Sequence, residues 1–280
     1  MLYQEAAAPE DLQPFATHFW FIRAQPQARY EKILPGPSAH LILNLSAPYR
    51  LITPAVDAGP ATSTAVAAGF YAGLQRSYLI SENPDRLFNV GVRLAPFGLP
   101  AFTGLPPSEV QGRVVDAEDL FPGFTQLQTR LEEASPDQAF SALADFLRSR
   151  LRRGYRADAR TVRVTETLAG RDMEIAALAR DAGISWSTLE RIMARDCGVT
   201  AKAYSDVCRF YRFVNQAAAL PKGAALGSEL LQLADYYDQP HLIRTFRRFS
   251  GFTPTEYLRV VQGYGPEYAT FVPMESVPAV

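Results

Sequence analysis

The hydrophobic pattern changes period partway along the chain. Up to about residue 115, short apolar or alternating runs are separated mostly by Pro, Gly, Ser, Asn or Asp: 18–23, 30–35, 40–45, 49–53, 65–73, 76–80 and 87–95. Runs of this length and spacing predict the strands of a β-barrel or sandwich. His40, Ile42 and Asn44 alternate with Leu41 and Leu43, so they share one strand face. From 116 to 153 the apolar positions recur at three and four: Phe124, Leu127, Leu131, then Phe140, Leu143, Phe146, Leu147 and Leu151. This predicts a helical hairpin. Its second helix starts at Ser135-Pro-Asp-Gln138, which offers a cap, an N1 proline and a capping-box partner. The hairpin is expected to pack on its own β-domain.

The segment 151–158, LRRGYRAD, is short, basic and broken by Gly154, and predicts a linker. Beyond it the helical period continues. One helix carries Val162, Val164 and Leu168. A second opens near Asp172-Met-Glu-Ile175, with Leu178 and Ala182 inward, and ends at Gly183. Ser185 then caps a third over 186–196, and a long helix runs over 200–220. Pro221-Lys-Gly-Ala breaks it, and Ser228 caps a helix bearing Leu230, Leu231 and Leu233. A helix over 239–249 ends at Gly251, and Thr253-Pro-Thr-Glu256 starts the last one. Residues 263–280 are rich in Pro and Gly and predict a tail, packed back through Tyr264, Tyr268 and Phe271.

Two of these helices have the same construction. Leu189, Arg191, Met193, Arg195, Gly198, Thr200 and Tyr204 match Leu242, Arg244, Phe246, Arg248, Gly251, Thr253 and Tyr257, each pair offset by 53 residues. A short helix, basic outside and apolar inside, is what a DNA major groove admits. Two such units predict contact with two adjacent groove segments, about one helical turn (~34 Å) apart.

Here the sequence resembles the AraC/XylS family of transcription regulators, over about residues 160 to 262. The resemblance is carried by LARDAGISWSTLERIMARDCGVTAKAY and by YYDQPHLIRTFRRFSGFTPTEYLR. Two positions depart from it: Asp235 stands where the family usually has Gly, and Ala201 where it usually has Pro. More weakly, ILPGPSAHLILNL and GVRLAPFGLPAFTGLP resemble the N-terminal sensor-like domains of one branch. The resemblance implies an α+β multidomain chain. Residues 1–153 would be a cupin-like β-barrel with a hairpin at 116–153, residues 160–262 an all-α double helix-turn-helix domain, and 263–280 a tail. It further implies a sequence-specific regulator of promoter DNA, a small-molecule effector bound in the N-terminal domain, and homodimerisation through residues 116–153. RNA polymerase would be a partner if the protein activates.

Base readers are expected on the outward faces: Ser187, Thr188, Glu190 and Arg191 in the first unit, and Gln239, His241, Arg244 and Thr245 in the second. Arg195, Lys202, Arg247 and Arg248 are expected on phosphates. For each, the plain alternative is a solvated surface group. For His241 it is a helix cap or packing on Tyr237. In the β-domain, Trp20, Arg23, His40, Asn44, Tyr78 and Arg93 are the candidate ligand-binding groups, with His18 a further polar residue on an apolar strand.

Charge sharpens the division. Residues 148–262 hold 19 Lys/Arg against 12 Asp/Glu, while the rest holds 9 against 17. That split suits a DNA-facing half and an acidic regulatory half. The alternative is a metal-dependent cupin-like enzyme with a helical appendage. It lacks an H-x-H pair and has only His18 and His40 in the β-domain, so neither catalysis nor a cofactor is expected. A helical adaptor without DNA binding leaves the repeated basic helices unexplained. Two cysteines without metal spacing, no apolar run of membrane length and no secretory pattern predict a cytoplasmic protein.

Overall fold

The computed structural model describes residues 1–55, 61–220 and 239–276. Eleven strands form among them: β1 Leu2–Ala7, β2 Ala16–Ala24, β3 Tyr30–Ile33, β4 Ala39–Asn44, β5 Tyr49–Thr53, β6 Thr62–Val66, β7 Gly69–Ala72, β8 Leu79–Glu82, β9 Leu87–Leu94, β10 Val114–Asp116 and β11 Phe271–Met274. They make one sheet of order β1-β2-β9-β4-β7-β10 and another of order β11-β3-β8-β5-β6. The two sheets meet through Leu51 and Val66 from one and Phe70 and Ala72 from the other. Thus β-rich structure comes first and helices follow, as the period change requires. The single run 65–73 divides into β6 and β7, and β1, β10 and β11 lie outside the expected runs.

The larger sheet has two unlike faces. Phe19, Phe21, Leu41, Leu43, Val90 and Val92 point to a core shared with Phe124, Phe140, Leu143 and Leu147. Those helical residues come from α3 Phe124–Arg130 and α4 Pro136–Arg148, which follow α1 Leu99–Thr103 and α2 Ala117–Leu120. Ser135 and Gln138 form the expected capping box on α4. The apolar stripe of α4 is therefore spent on its own β-domain, leaving Asp137, Asp145 and Arg148 outward.

The helical region comprises α5 Ala159–Gly170, α6 Ile175–Asp181, α7 Trp186–Cys197, α8 Ala201–Ala218, α9 Gln239–Ser250 and α10 Pro254–Tyr264. The expected chain break at Pro221, the helix after Ser228 and the turn with Asp235 lie outside the described residues. Two cores hold the remainder. Val164, Leu168, Leu178, Leu189, Met193 and Tyr204 form one, and Phe210, Phe213, Phe246, Phe249, Tyr257 and Val261 the other. Both cysteines are buried and free, and burial pushes the Cys208 thiol up to about 12.

Each helical core also takes residues from the β-domain. Leu74, Ala95 and Phe97 enter the first, and Leu34 enters the second. The expected tail is a strand instead: β11 pairs antiparallel with β3. It packs through Val272 and Ala269, which are buried, whereas Tyr264 and Phe271 are exposed. The pleat explains the change, because alternate residues of a strand face opposite ways.

Candidate nucleic-acid interface and ligand face

In the first unit, α6 has Glu174 at its N-cap position without a side-chain cap. Asp172, expected to open this helix, instead receives a bidentate bond from Arg209 on α8, at 2.9 and 2.8 Å. Gly183 turns the chain with φ +67°, a left-handed value that costs glycine little. Ser185 then caps α7, its Oγ accepting from the Thr188 amide at 3.2 Å. Leu189, Ile192 and Met193 are buried, which leaves Ser187 and Arg191 exposed on the other side. Thr188 is half-buried, its hydroxyl 2.9 Å from Ser185 Oγ.

Glu190 departs from expectation. Its Oε2 accepts from the Ala201 amide at 2.7 Å, so the carboxylate caps the start of α8 and is not presented to a groove. The first free N–H groups of a helix carry a partial positive charge, which explains the choice. Arg195 is also engaged. It pairs with Asp196 at 2.5 Å and Asp158 at 3.3 Å, which partly neutralises it as a phosphate ligand. Asp158 caps α5 as well, and Arg160 holds its carboxyl below the usual range. Lys202 pairs with Asp206 at 2.9 Å, and Asp206 reaches Arg248 of the second unit at 3.6 Å.

In the second unit Leu242, Phe246 and Phe249 are buried, while Arg244, Arg247 and Arg248 are exposed. Arg248 lies over the Phe249 ring at 4.4 Å. His241 and Thr245 are half-buried. The side chain of Gln239, and Tyr237, lie outside the described residues. Gly251 ends α9 with φ +68°, and Thr253 and Glu256 form a capping box on α10. Arg191 and Arg244, equivalent in the repeat, are both exposed and make no ion pair among the described residues.

The C-terminus of α9 is fastened to the β-domain. Lys32 of β3 is buried, and its Nζ donates to the Ser250 carbonyl at 3.0 Å. The ammonium also lies 3.8 Å from the Phe252 ring centre and 4.3 Å from that of Tyr78. Burial lowers the Lys32 pKa to about 8. Tyr78, expected as a ligand group, is therefore part of this seam. The sequence reading missed Lys32, which sits in the run YEKILP with no local sign of its partners.

Of the other candidate ligand groups, three come together. His18 pairs across strands with Arg93, and Arg93 with His40. The next row is Trp20, Gly91 and Ile42. These residues occupy the second face of the larger sheet, opposite the core that α3 and α4 cover. Burial, and then the Arg93 charge, lower the His40 pKa to about 4. Asn44 is fully buried, and its amide donates to Val66 and Ala67 carbonyls, so it closes a loop and is not offered to a ligand. Arg23 is exposed and lies over Phe88 at 4.3 Å, on the other face of β2. Its odd position in the strand puts it with Phe21 and away from Trp20.

Among the described residues, no helix is long and apolar enough to cross a membrane. A family model described as a domain of unknown function, DUF6597, matches residues 4–116. No curated protein matches the chain. Among solved structures, ToxT from Vibrio cholerae is similar at 11% identity with a TM-score of 0.46, covering 92% of this chain and 98% of its own. A DNA-binding transcriptional dual regulator from Escherichia coli K-12 is similar at 20% identity and TM-score 0.32, covering 40% of this chain and 97% of its own. The AraC-like transcriptional activator CuxR is similar at 16% identity and TM-score 0.24, covering 82% and 90%.

Proposed function

We propose that the chain is a ligand-regulated, DNA-binding transcription regulator of the AraC/XylS type, reading two adjacent major-groove segments. One observation carries the reading. The 53-residue repeat folds into two similarly built helices, α7 and α9, each with an apolar side buried and, at the equivalent outward position, an exposed arginine that makes no ion pair among the described residues. Burying one side fixes the helix axis, so the opposite side is presented as a rigid edge.

Within this reading Ser187, Thr188 and Arg191 contact bases from α7, and His241, Arg244 and Thr245 from α9, with Gln239 beside them. Arg can grip guanine O6 and N7 as a fork. Arg247, Arg248 and Lys202 contact phosphates, and Arg195 does so only after leaving its two aspartates. Glu190 is reassigned to holding α7 against α8. The small-molecule site is the sheet face bearing Trp20, His40 and Arg93.

The test is selection from a random duplex library followed by gel shift. The expected result is a selected site with two adjacent half-sites and an affinity that falls steeply with salt, because bound Lys and Arg release counterions. Arg244→Ala loses about 1–3 kcal/mol of specific binding and relaxes one base position. Unchanged specific affinity in that variant removes Arg244 from base readout. A library that yields no enriched site sinks the regulator reading.

A further inference from the structure

We infer that the basic segment joining the two halves, with the first turns of α5, is a third DNA contact: a clamp on backbone phosphates that does not read sequence. This rests on the reading of α7 as a base-reading helix and adds a partner surface outside both repeats.

The segment is rich in one charge and is held in place. Residues 152–163 carry five arginines, Arg152, Arg153, Arg156, Arg160 and Arg163, against one acid, Asp158. Contacts that do not use the guanidinium groups fix its path. The Arg152 amide donates to the Ala101 carbonyl at 2.8 Å, and the Tyr155 amide to the Arg152 carbonyl at 3.0 Å. Gly154 turns the chain at φ +74°, and the Tyr155 ring packs on Phe15 with centroids 5.6 Å apart.

The far end is tied to α7. The Asp158 carboxylate caps α5, accepting from the Arg160 amide at 2.9 Å. It also pairs with the Arg160 guanidinium at 2.7 Å and with that of Arg195 at 3.3 Å. Thr161 donates to Asp196 at 2.5 Å, and Asp196 holds Arg195 as well. Two arginines and two aspartates cancel, so this knot places the segment without adding charge to it. Ser187, Arg191 and Arg195 are spaced by four and lie along one side of α7. The segment therefore meets α7 at its C-terminal turn, on the side that carries Arg191.

The dimensions of the groove put phosphates there. The 12 residues of α7 make a helix about 18 Å long at ~1.5 Å per residue. The major groove is about 12 Å wide. With its N-terminal residues on base edges, such a helix runs out over the groove rim. Its last turn, and whatever is tied to that turn, then lies beside the backbone. Arg153, Arg156 and Arg163 are exposed and form no ion pair among the described residues. The guanidinium fork matches phosphate oxygens, and these three keep their full charge for a polyanion. An acidic protein would match the same charges; the tie to the base-reading helix favours DNA.

The test uses the full chain with two duplexes, one of arbitrary sequence and the selected site. Affinity is measured by fluorescence anisotropy across a salt series. Wild type is compared with the double variant Arg153→Gln, Arg156→Gln and with a charge control, Arg86→Gln, Arg130→Gln. The control removes the same charge from exposed β-domain positions, one just before β9 and one at the end of α3. The linker variant is expected to bind both duplexes roughly tenfold more weakly at about 0.1 M salt. Its slope of log affinity against log salt is expected to be shallower by about 1.8, or ~0.9 for each phosphate given up. Its preferred base sequence and its circular dichroism stay as in wild type, and the charge control keeps the wild-type slope. Arg163→Gln, on another element, is expected to lower the slope by about 0.9, and it decides the matter should the double variant misfold. The inference is overturned if the linker variants keep the wild-type slope, as they would were these arginines solvated or reserved for an acidic protein. It is equally overturned if the charge control flattens the slope as much. The arbitrary duplex reports the clamp by itself, so a library without an enriched site sinks the regulator reading and leaves this result to stand or fall separately.

Discussion

Lys32 carries more of the fold than its neighbours suggest. Its ammonium ends α9 from outside, bonded to the Ser250 carbonyl and held between Tyr78 and Phe252. Burial lowers its pKa from the ordinary 10.5 to about 8. Between those two values the unfolded chain still binds a proton that the folded chain has released. Stability from this group therefore rises with pH from about 8 to about 10.5, because the unfolded state binds more protons there. Urea denaturation across that range is expected to show the rise, and Lys32→Met to flatten it. An equal slope in both proteins removes Lys32 as its source. Glu190 makes the complementary case. Its spacing places it among the outward residues of α7, but its carboxylate caps α8 through the Ala201 amide. Glu190→Ala is expected to cost about 1 kcal/mol of stability, the usual worth of a cap, and to leave the preferred DNA sequence unchanged in a repeat of the library selection. Neither role is legible in sequence, since each depends on a partner that only the fold brings near.

Elements whose ends are fixed by local chemistry were legible. Ser135, Ser185 and Thr253 each cap the helix that follows, as the sequence implies, and Thr200, read as the first residue of the long helix, is its N-cap. Gly183, Gly198 and Gly251 each adopt positive φ where a helix stops. These signals act within four residues, so they survive without tertiary context. Thr253→Ala is expected to lower stability by about 1 kcal/mol and to weaken DNA binding by less than Arg244→Ala does. A binding loss equal to that of Arg244→Ala in the gel shift would mean that α10 itself contributes to recognition. The strands were legible where they alternate in the middle of a sheet, as in β2, β4 and β9. The elements β1, β10 and β11 were not: each is an edge strand without a clear apolar–polar alternation, and its pairing is decided by the neighbour it meets. The candidate ligand groups divide the same way. Trp20, His40 and Arg93 share a face that strand periodicity can give, while the uses of Asn44 and Tyr78 depend on loops and on a seam formed by distant residues.

At the scale of the molecule, the division at 151–158 separates charge and periodicity more cleanly than it separates packing. Leu34 of the β-domain lies in the core that holds α9, and Leu74, Ala95 and Phe97 lie in the core that holds α7. In return, β11 completes the smaller sheet beside β3, and the Leu34 amide donates to the Thr270 carbonyl at 2.8 Å. Tyr204 of α8 donates to the Pro37 carbonyl at 3.1 Å. A cut between the halves would thus expose apolar surface on both and leave the β3 edge unpaired, which is a known route to aggregation. The prediction is that fragments 1–155 and 156–280, expressed separately, each unfold at lower temperature than the full chain and bind a hydrophobic dye, whereas coexpressed fragments copurify. The copurified pair should lose its association when Val272, fully buried on β11, is replaced by Asp, because an unpaired carboxylate is costly to bury. Two fragments that are separately stable, dye-negative and indifferent to each other would show that the shared cores add nothing. The halves would then act as tethered, independent domains.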